Sequence, residues 1–567
     1  MTAPMNHEFD AIVVGSGITG GWAAKELAEA GFKVLMIERG RNIEHQSGYD
    51  REMKAPWDMP FRGEGDPDLF ARDYPVQQLN RHFTEFTQDH FVCDRENPYV
   101  TGDDTRFTWF RSYQLGGRSL TWGRQAYRWS DYDFGANKRD GHGTDWPIRY
   151  ADLAPWYDHV ETFIGVSGAA EGLAQLPDGQ FQPPMPLNAV EVDLREKIRA
   201  KWPERVLTIG RTANLTQAKP EEGRAHCQYR SICARGCSFG AYFSTQSSTL
   251  PAAMKTGRLT VLTDKVVEKV DYDPATQRVT GVRWIDTKTR QRGMATARMV
   301  FLNAGAFNSV HVLLNSASEA MPNGLANSSG VLGTHIMDHA NTMGALAVMP
   351  GFETHTSFGN RPTGIIIPRF RNMDRLDGIG HTRGFSFQGG ALQSGWTRGK
   401  RQAGIGEGFK DEMRQVGPWR MVLVTFAECM PRASNRLTLD HTRVDANGLP
   451  VLKIDFAFGK EELAAVAEAK ACATEMLTHA GGKVLFGSDT PGPGGTSIHE
   501  MGGARMGHDP ATSVLNAHSQ AHGIANLFVT DGAQMSSSAC QNPSLTYMAL
   551  TARAAAYATQ QVKAGAI

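Results

Sequence analysis

Residues 9–38 read FDAIVVGSGITGGWAAKELAEAGFKVLMIE, and this stretch decides the fold. The run FDAIVVG, short and β-branched, predicts a buried strand. Gly15, Gly17 and Gly20 follow as G-x-G-x-x-G. A helix with apolar residues at helical spacing then ends on Gly31, and a second strand, KVLMIE, finishes at Glu38. The three glycines serve different ends. Gly15 permits a tight turn, Gly17 lets a pyrophosphate approach the backbone, and Gly20 lets helix and sheet pack closely. The helix start offers amides and a positive dipole end to phosphate, and Glu38 can accept from a ribose hydroxyl. Isolated, the glycine triplet would be weak evidence. Inside a complete strand–loop–helix–strand–acid unit it predicts a bound dinucleotide held by Gly15, Gly17, Ile18, Thr19, Gly20, Glu38 and Arg39.

The unit opens a chain of 567 residues, a length that holds roughly three to four domains at ~150 residues each and is more than a simple NAD enzyme needs. Lys plus Arg and Asp plus Glu are both 59, which removes the electrostatic case for nucleic acid or an anionic membrane as the main partner. No apolar run approaches the ~18–20 residues of a membrane span. The start, MTAPMNHEFD, lacks a basic stretch followed by an apolar one, so no export signal is expected in this chain. Seven cysteines in so long a chain argue against a disulfide scaffold.

Three further segments carry the functional reading: QLGGRSLTWGR (114–124), TSIHEMGGARMGHD (496–509) and NLFVTDGAQMSSSACQNPSLTYM (526–548). Together with FLNAGAFNSVHVLLNS (301–316) and LGTHIMDHA (332–340), they resemble the glucose–methanol–choline (GMC) oxidoreductases over most of the chain. The resemblance implies an α/β fold, with a Rossmann-like FAD-binding domain and an inserted α+β substrate-binding domain whose sheet roofs the flavin. It implies FAD-binding segments at 1–165 (with an excursion at about 45–110), 258–345 and 491–567. Residues 166–257 connect them and carry a cysteine cluster, and 346–490 bind substrate.

By the same resemblance, His499 is the catalytic base and Asn542 orients the substrate hydroxyl. Gly116, Gly117 and Ser119 cradle the flavin or its diphosphate, Asp531 lies by the pyrophosphate and ribityl chain, Pro543 and Leu545 by the pyrimidine edge, and Val266 by the adenine. The chemistry agrees, because a flavin that oxidises an alcohol needs a base for the hydroxyl proton as hydride leaves carbon. Pyranose oxidases carry a histidine in the glycine loop that bonds FAD covalently. Thr121 stands at that position here, so non-covalent FAD is expected.

Residues 227–243, CQYRSICARGCSFGAYF, place Cys227, Cys233 and Cys237 in one short stretch. Clustered thiolates point to a soft metal or to redox chemistry. The readings are a 3Fe–4S cluster with one thiolate per iron, a zinc site or a disulfide with a free thiol, and plain buried cysteines. A fourth zinc ligand is not evident. The spacing is similar to catalytic subunits of bacterial FAD-dependent sugar dehydrogenases of the glucose and glucoside 3-dehydrogenase kind. Those join a small subunit and a cytochrome c-type acceptor. That implies oxidation of a sugar or glycoside, with carbon 3 of a glucoside favoured, and periplasmic residence by export on the small partner; without the partner the expected place is the cytoplasm. Arg224, Arg230 and Arg235 could offset thiolate charge. The glucose dehydrogenase pattern has an extra cysteine after the first, and Gln228 stands there in this chain. An oxygen-using sugar or C-glycoside oxidase and a redox-inactive assembly subunit are the alternatives. Trp122 is open between sugar stacking and core packing, Glu428 between substrate contact and a salt bridge, and 395–417 is expected to be a solvated loop.

Overall fold

The computed structural model describes residues 8–356, 359–374 and 376–567, with backbone alone at 400–401. Residues 1–7, on which part of the export-signal expectation rests, and the basic side chains of 400–401 lie outside this description.

Phe9–Val14 forms the centre of a mainly parallel sheet, flanked by Val34–Ile37 and by the second half of Arg292–Leu302. Leu259–Leu262 and Leu527–Val529 add a parallel strand at either edge. Strands covered on both faces must be apolar throughout, and Val34–Ile37 is buried at every position. Arg292–Leu302 does two jobs in one strand. Its first half, RGMAT, alternates in burial and pairs antiparallel with Arg278–Asp286, while its second half, MVFL, is buried continuously and pairs parallel with Phe9–Val14.

The helix Ile18–Glu29 begins straight after the glycine loop and packs against the C-terminal helix Ser544–Lys563. A Cβ on Gly20 would lie 1.9 Å from the Gly15 carbonyl oxygen, and Gly15 itself has φ +93°. These two positions therefore require glycine on steric grounds.

A second sheet of six strands runs in the order Lys483–Phe486, Ala340–Met349, Trp419–Ala427, Phe385–Gln393, Ile365–Ile367, Thr208–Ile209, antiparallel throughout. Along Trp419–Ala427 the odd positions are buried and the even ones more open. The helix Lys460–His479 packs on this sheet through Ala465, Val466, Ala469, Ala473 and Met476, spaced at three and four residues. That leaves the face of Val422, Val424 and Phe426 turned the other way, where Phe426 meets the His339 and His499 rings.

Residues 395–417 form a short 3-10 turn and the helix Gly406–Arg414, which has no buried residue. Glu428 follows the end of its strand and is buried. It meets Arg369 at 2.9 Å and Arg383 at 3.4 Å, so of its two expected roles the structure gives the salt bridge. No helix among the described residues is long and apolar enough to cross a membrane.

Candidate active site

One cleft with about 1260 Å³ of unfilled space collects residues from all parts of the parallel-sheet domain. Gly15, Gly17, Ile18, Thr19, Glu38, Arg39, Gly117, Ser119, Val266 and Asp531 line it, as the sequence reading grouped them. Gly20 and Gly116 act from behind: the Gly116 N–H donates to Ser16 Oγ at 2.8 Å, tying the two glycine loops together. A Cβ on Gly17 would meet nothing within 4 Å, so at this point the backbone is bare toward the cleft. Glu38 accepts from the Ser16 N–H and hydroxyl at 3.1 and 2.6 Å and from the Gly40 N–H at 2.8 Å. Burial raises its pKa, and these donors oppose the shift.

Asp531 accepts from the Gly305 and Ala533 N–H groups at 2.9 and 3.0 Å and from the Ser309 hydroxyl at 2.5 Å. Burial pushes its carboxyl up to about 6. It thus holds local amides and also faces the cleft. Pro543 and Leu545 sit at the start of the C-terminal helix, outside the lining, and Leu545 is fully buried in the core. Tyr547 lines the cleft instead, as do Arg118 and Glu500, joined at 2.5 Å. None of these three was singled out in the sequence. Trp122 lines the cleft and donates its indole N–H to the Phe243 carbonyl at 2.9 Å.

His499 and Asn542 meet beneath the six-stranded sheet. Asn542 Nδ2 lies 3.0 Å from His499 Nε2, and Asn542 Oδ1 accepts from Gln388 Nε2 at 2.6 Å. On the other side of the ring, His499 Nδ1 lies 2.9 Å from Nδ1 of His339, whose Nε2 is 2.5 Å from the Ala539 carbonyl oxygen. Burial carries the His499 pKa well below 6.5, with His339 and Arg118 adding to the shift, and burial brings His339 down to about 4. Both shifts favour the neutral ring.

The backbone is bent to aim His499. Ile498 has φ +60°, a costly conformation for a β-branched residue. Asp338 holds that bend, accepting from the N–H groups of Gly495, Ser497 and His499 at 2.7, 3.3 and 3.1 Å. Burial, with Glu500 nearby, raises Asp338 to about 7. Ligand atoms of Asp338, His339 and His499 fall within 4.8 Å of one another, a spacing compatible with a metal ion. The hydrogen bonds above already occupy these groups. His339, Asp338 and Gln388 were not picked out from the sequence, although the first two lie in the quoted segment LGTHIMDHA.

Cys227, Cys233 and Cys237 are free thiols that line a second cavity, with about 350 Å³ of unfilled space. Cys227 Sγ accepts from the Tyr229 N–H at 3.4 Å, and Arg230 Nη2 reaches Cys237 Sγ at 3.7 Å. Burial raises the Cys227 pKa. Arg235 turns away from the sulfurs to the Glu52 and Lys54 carbonyls and the Phe86 ring, and Arg224 bonds the Gly240 and Ile164 carbonyls. The turn Cys233–Arg235 packs against Gly117–Leu120 of the first cleft, and the Tyr242 hydroxyl donates to the Leu120 carbonyl at 2.8 Å.

Residues 9–341 and 431–551 match the N-terminal and C-terminal parts of the GMC oxidoreductase family. The chain is a GMC oxidoreductase. It is 25% identical to the fructose dehydrogenase large subunit of Gluconobacter japonicus, over 98% of each chain. It is 26% identical to 2-methyl-1,2-propanediol dehydrogenase of Mycolicibacterium austroafricanum, over 97% of this chain and 95% of the other. The crystal structure of pyridoxine 4-oxidase from Mesorbium loti superposes with a TM-score of 0.59 at 17% identity, over 97% of this chain and 98% of the other, which establishes the shared fold. Membership makes the chain an FAD-dependent oxidoreductase acting on CH–OH donors, and FAD is the group for which the cleft is built. The bare backbone at Gly17 and the acceptor Glu38 fit its diphosphate and ribose.

Proposed function

We propose that this GMC oxidoreductase is a dehydrogenase that oxidises a secondary hydroxyl of a sugar or glycoside, with carbon 3 of a glucoside as the target. The observation that carries the reading is the buried His499–Asn542 pair beside the FAD cleft, under the open face of an antiparallel sheet. FAD, when bound, supplies the hydride acceptor for the carbinol carbon. His499 Nε2 takes the hydroxyl proton as the C–H electron pair leaves and the C=O bond forms. Asn542 Nδ2 now occupies that nitrogen, so a substrate hydroxyl replaces it there and receives the amide donor on its own oxygen. Thr121 offers no histidyl link, in keeping with non-covalent FAD.

Cys227, Cys233 and Cys237 are proposed to hold a 3Fe–4S cluster, which would supply a one-electron outlet toward a cytochrome-type acceptor. Three thiols on one cavity, packed directly against a turn of the FAD cleft, support this. Similarity to a large subunit of a fructose dehydrogenase supports a small partner subunit, and periplasmic residence by export on that partner goes with it.

The test is low-temperature EPR with iron and acid-labile sulfide assays on anaerobically purified protein, plus peroxide and dye assays with glucosides. About three irons per chain, an oxidised-cluster signal that sugar abolishes, and dye reduction without peroxide are expected. Absent iron with fast peroxide release would make the chain an oxidase.

A further inference from the structure

The polar atoms around His499 form a string in which every proton can be assigned. The Ala539 carbonyl oxygen can only accept, so the His339 Nε2 facing it at 2.5 Å must carry hydrogen. With that proton on Nε2, the neutral His339 ring has a bare lone pair on Nδ1. The two Nδ1 atoms are 2.9 Å apart and the rings stand at 84°, so the hydrogen between them belongs to His499. His499 Nε2 is then left without a proton. At the far end Gln388 Nε2 donates to Asn542 Oδ1, which turns the Asn542 NH₂ toward His499 Nε2. From Gln388 to Ala539 all donors point the same way.

We infer that His339 is a positioning residue which, anchored by the Ala539 carbonyl, holds the His499 proton on Nδ1 and keeps Nε2 free to act as the base. The inference rests on the reading of His499 as that base. An imidazole with its proton on the wrong nitrogen cannot accept the substrate's, however well it is placed. Once Nε2 has taken the hydroxyl proton, the His499 Nδ1–H still points at the His339 lone pair, which stabilises the imidazolium. Of the charged groups around the pair, Asp338 holds the His499 backbone, Glu500 is tied to Arg118, and Glu428 is tied to Arg369 and Arg383. None of these carboxylates bonds either ring, so the tautomer is left to His339 and the Ala539 carbonyl.

Three measurements on the FAD-loaded enzyme test this. In ¹⁵N spectra of histidine-labelled protein, the ring signals lost in His499→Ala should belong to a neutral, Nδ1-protonated imidazole, and an Nε2-protonated ring would overturn the inference. This reading does not depend on any His339 variant folding. Anaerobic stopped-flow with sugar should show His339→Leu reducing flavin on the order of 10²-fold more slowly with unchanged sugar affinity. His339→Asn, which returns an acceptor oxygen near the lost Nδ1, should recover most of the rate. A normal rate in His339→Leu, or a His339→Asn variant as slow as His339→Leu, would sink the positioning role alone. Should His499→Ala itself still reduce flavin, the base reading fails instead.

Discussion

The histidine centre and the cysteine loop both reach the turn Gly117–Leu120, the first through the Arg118–Glu500 pair and the second through Cys233–Arg235, yet they are built in opposite ways. His499 takes its partners from across the chain: Asn542 is 43 residues away, His339 160, and Gln388 lies 154 residues from Asn542. His499, His339 and Asn542 are buried and Gln388 is half-buried, and the ring nitrogens all have partners. The cysteines fall within one short loop, with Tyr229 and Ser231 at positive φ, and Cys233 and Cys237 remain partly exposed. A proton-transfer site needs fixed donors and low dielectric, which only convergence of distant elements supplies. A site built from thiols on consecutive turns needs the loop and little else, and two of its three thiols stay partly exposed.

The contrast can be broken most severely at His499. His499→Ala should slow flavin reduction by about 10²- to 10⁴-fold in stopped-flow while FAD and iron contents stay as in the parent. Loss of iron in that variant would mean that the two sites are not independent. Glu428→Ala strips Arg369 and Arg383 of a buried counter-charge beside Cys540, and a loss of about 3–5 kcal/mol is expected in thermal or denaturant unfolding. A far smaller loss would show the buried side to be less tightly coupled than its geometry. Gln388→Ala releases the Asn542 amide and should cost about tenfold in flavin reduction, one hydrogen bond's worth.

At the small end lie two expected invariances. Cys237→Ser should lower iron content and cytochrome reduction yet leave anaerobic flavin reduction by sugar untouched, which an iron assay and stopped-flow on one sample would check. The His499 ring should also keep its neutral ¹⁵N signature as the pH falls from about 8 to 6.5, the window in which Asp338 takes up its proton. The sign follows from a lowered imidazole pKa: the ring charges only below its folded value, so the base stays competent throughout that window. A midpoint above 6.5 would contradict the burial of His499.

Much of this protein was legible in residue order. The G-x-G-x-x-G loop with Glu38 is local, and steric demands at Gly15 and Gly20 leave a mark that no other residue satisfies. The cysteine trio announces itself because its members share one loop. Most of the residues grouped on the flavin side line the cleft, whereas Tyr547 faces it in place of Pro543 and Leu545. Helix phase at the start of Ser544–Lys563 settles this, and phase is set by packing. Glu428 could not be assigned beforehand either, since its role depends on Arg369 and Arg383 arriving from segments 45 or more residues away.

What the sequence determined by itself is the dinucleotide unit and the family, both of which rest on motifs continuous in the chain, and it named His499 as the candidate base. The tertiary structure alone decided the direction of the protons. Whether His499 offers Nε2 depends on a carbonyl at Ala539, a ring at His339 and an amide at Gln388. Hydrogen-bond polarity is a property of atoms facing one another in space, which residue order does not encode.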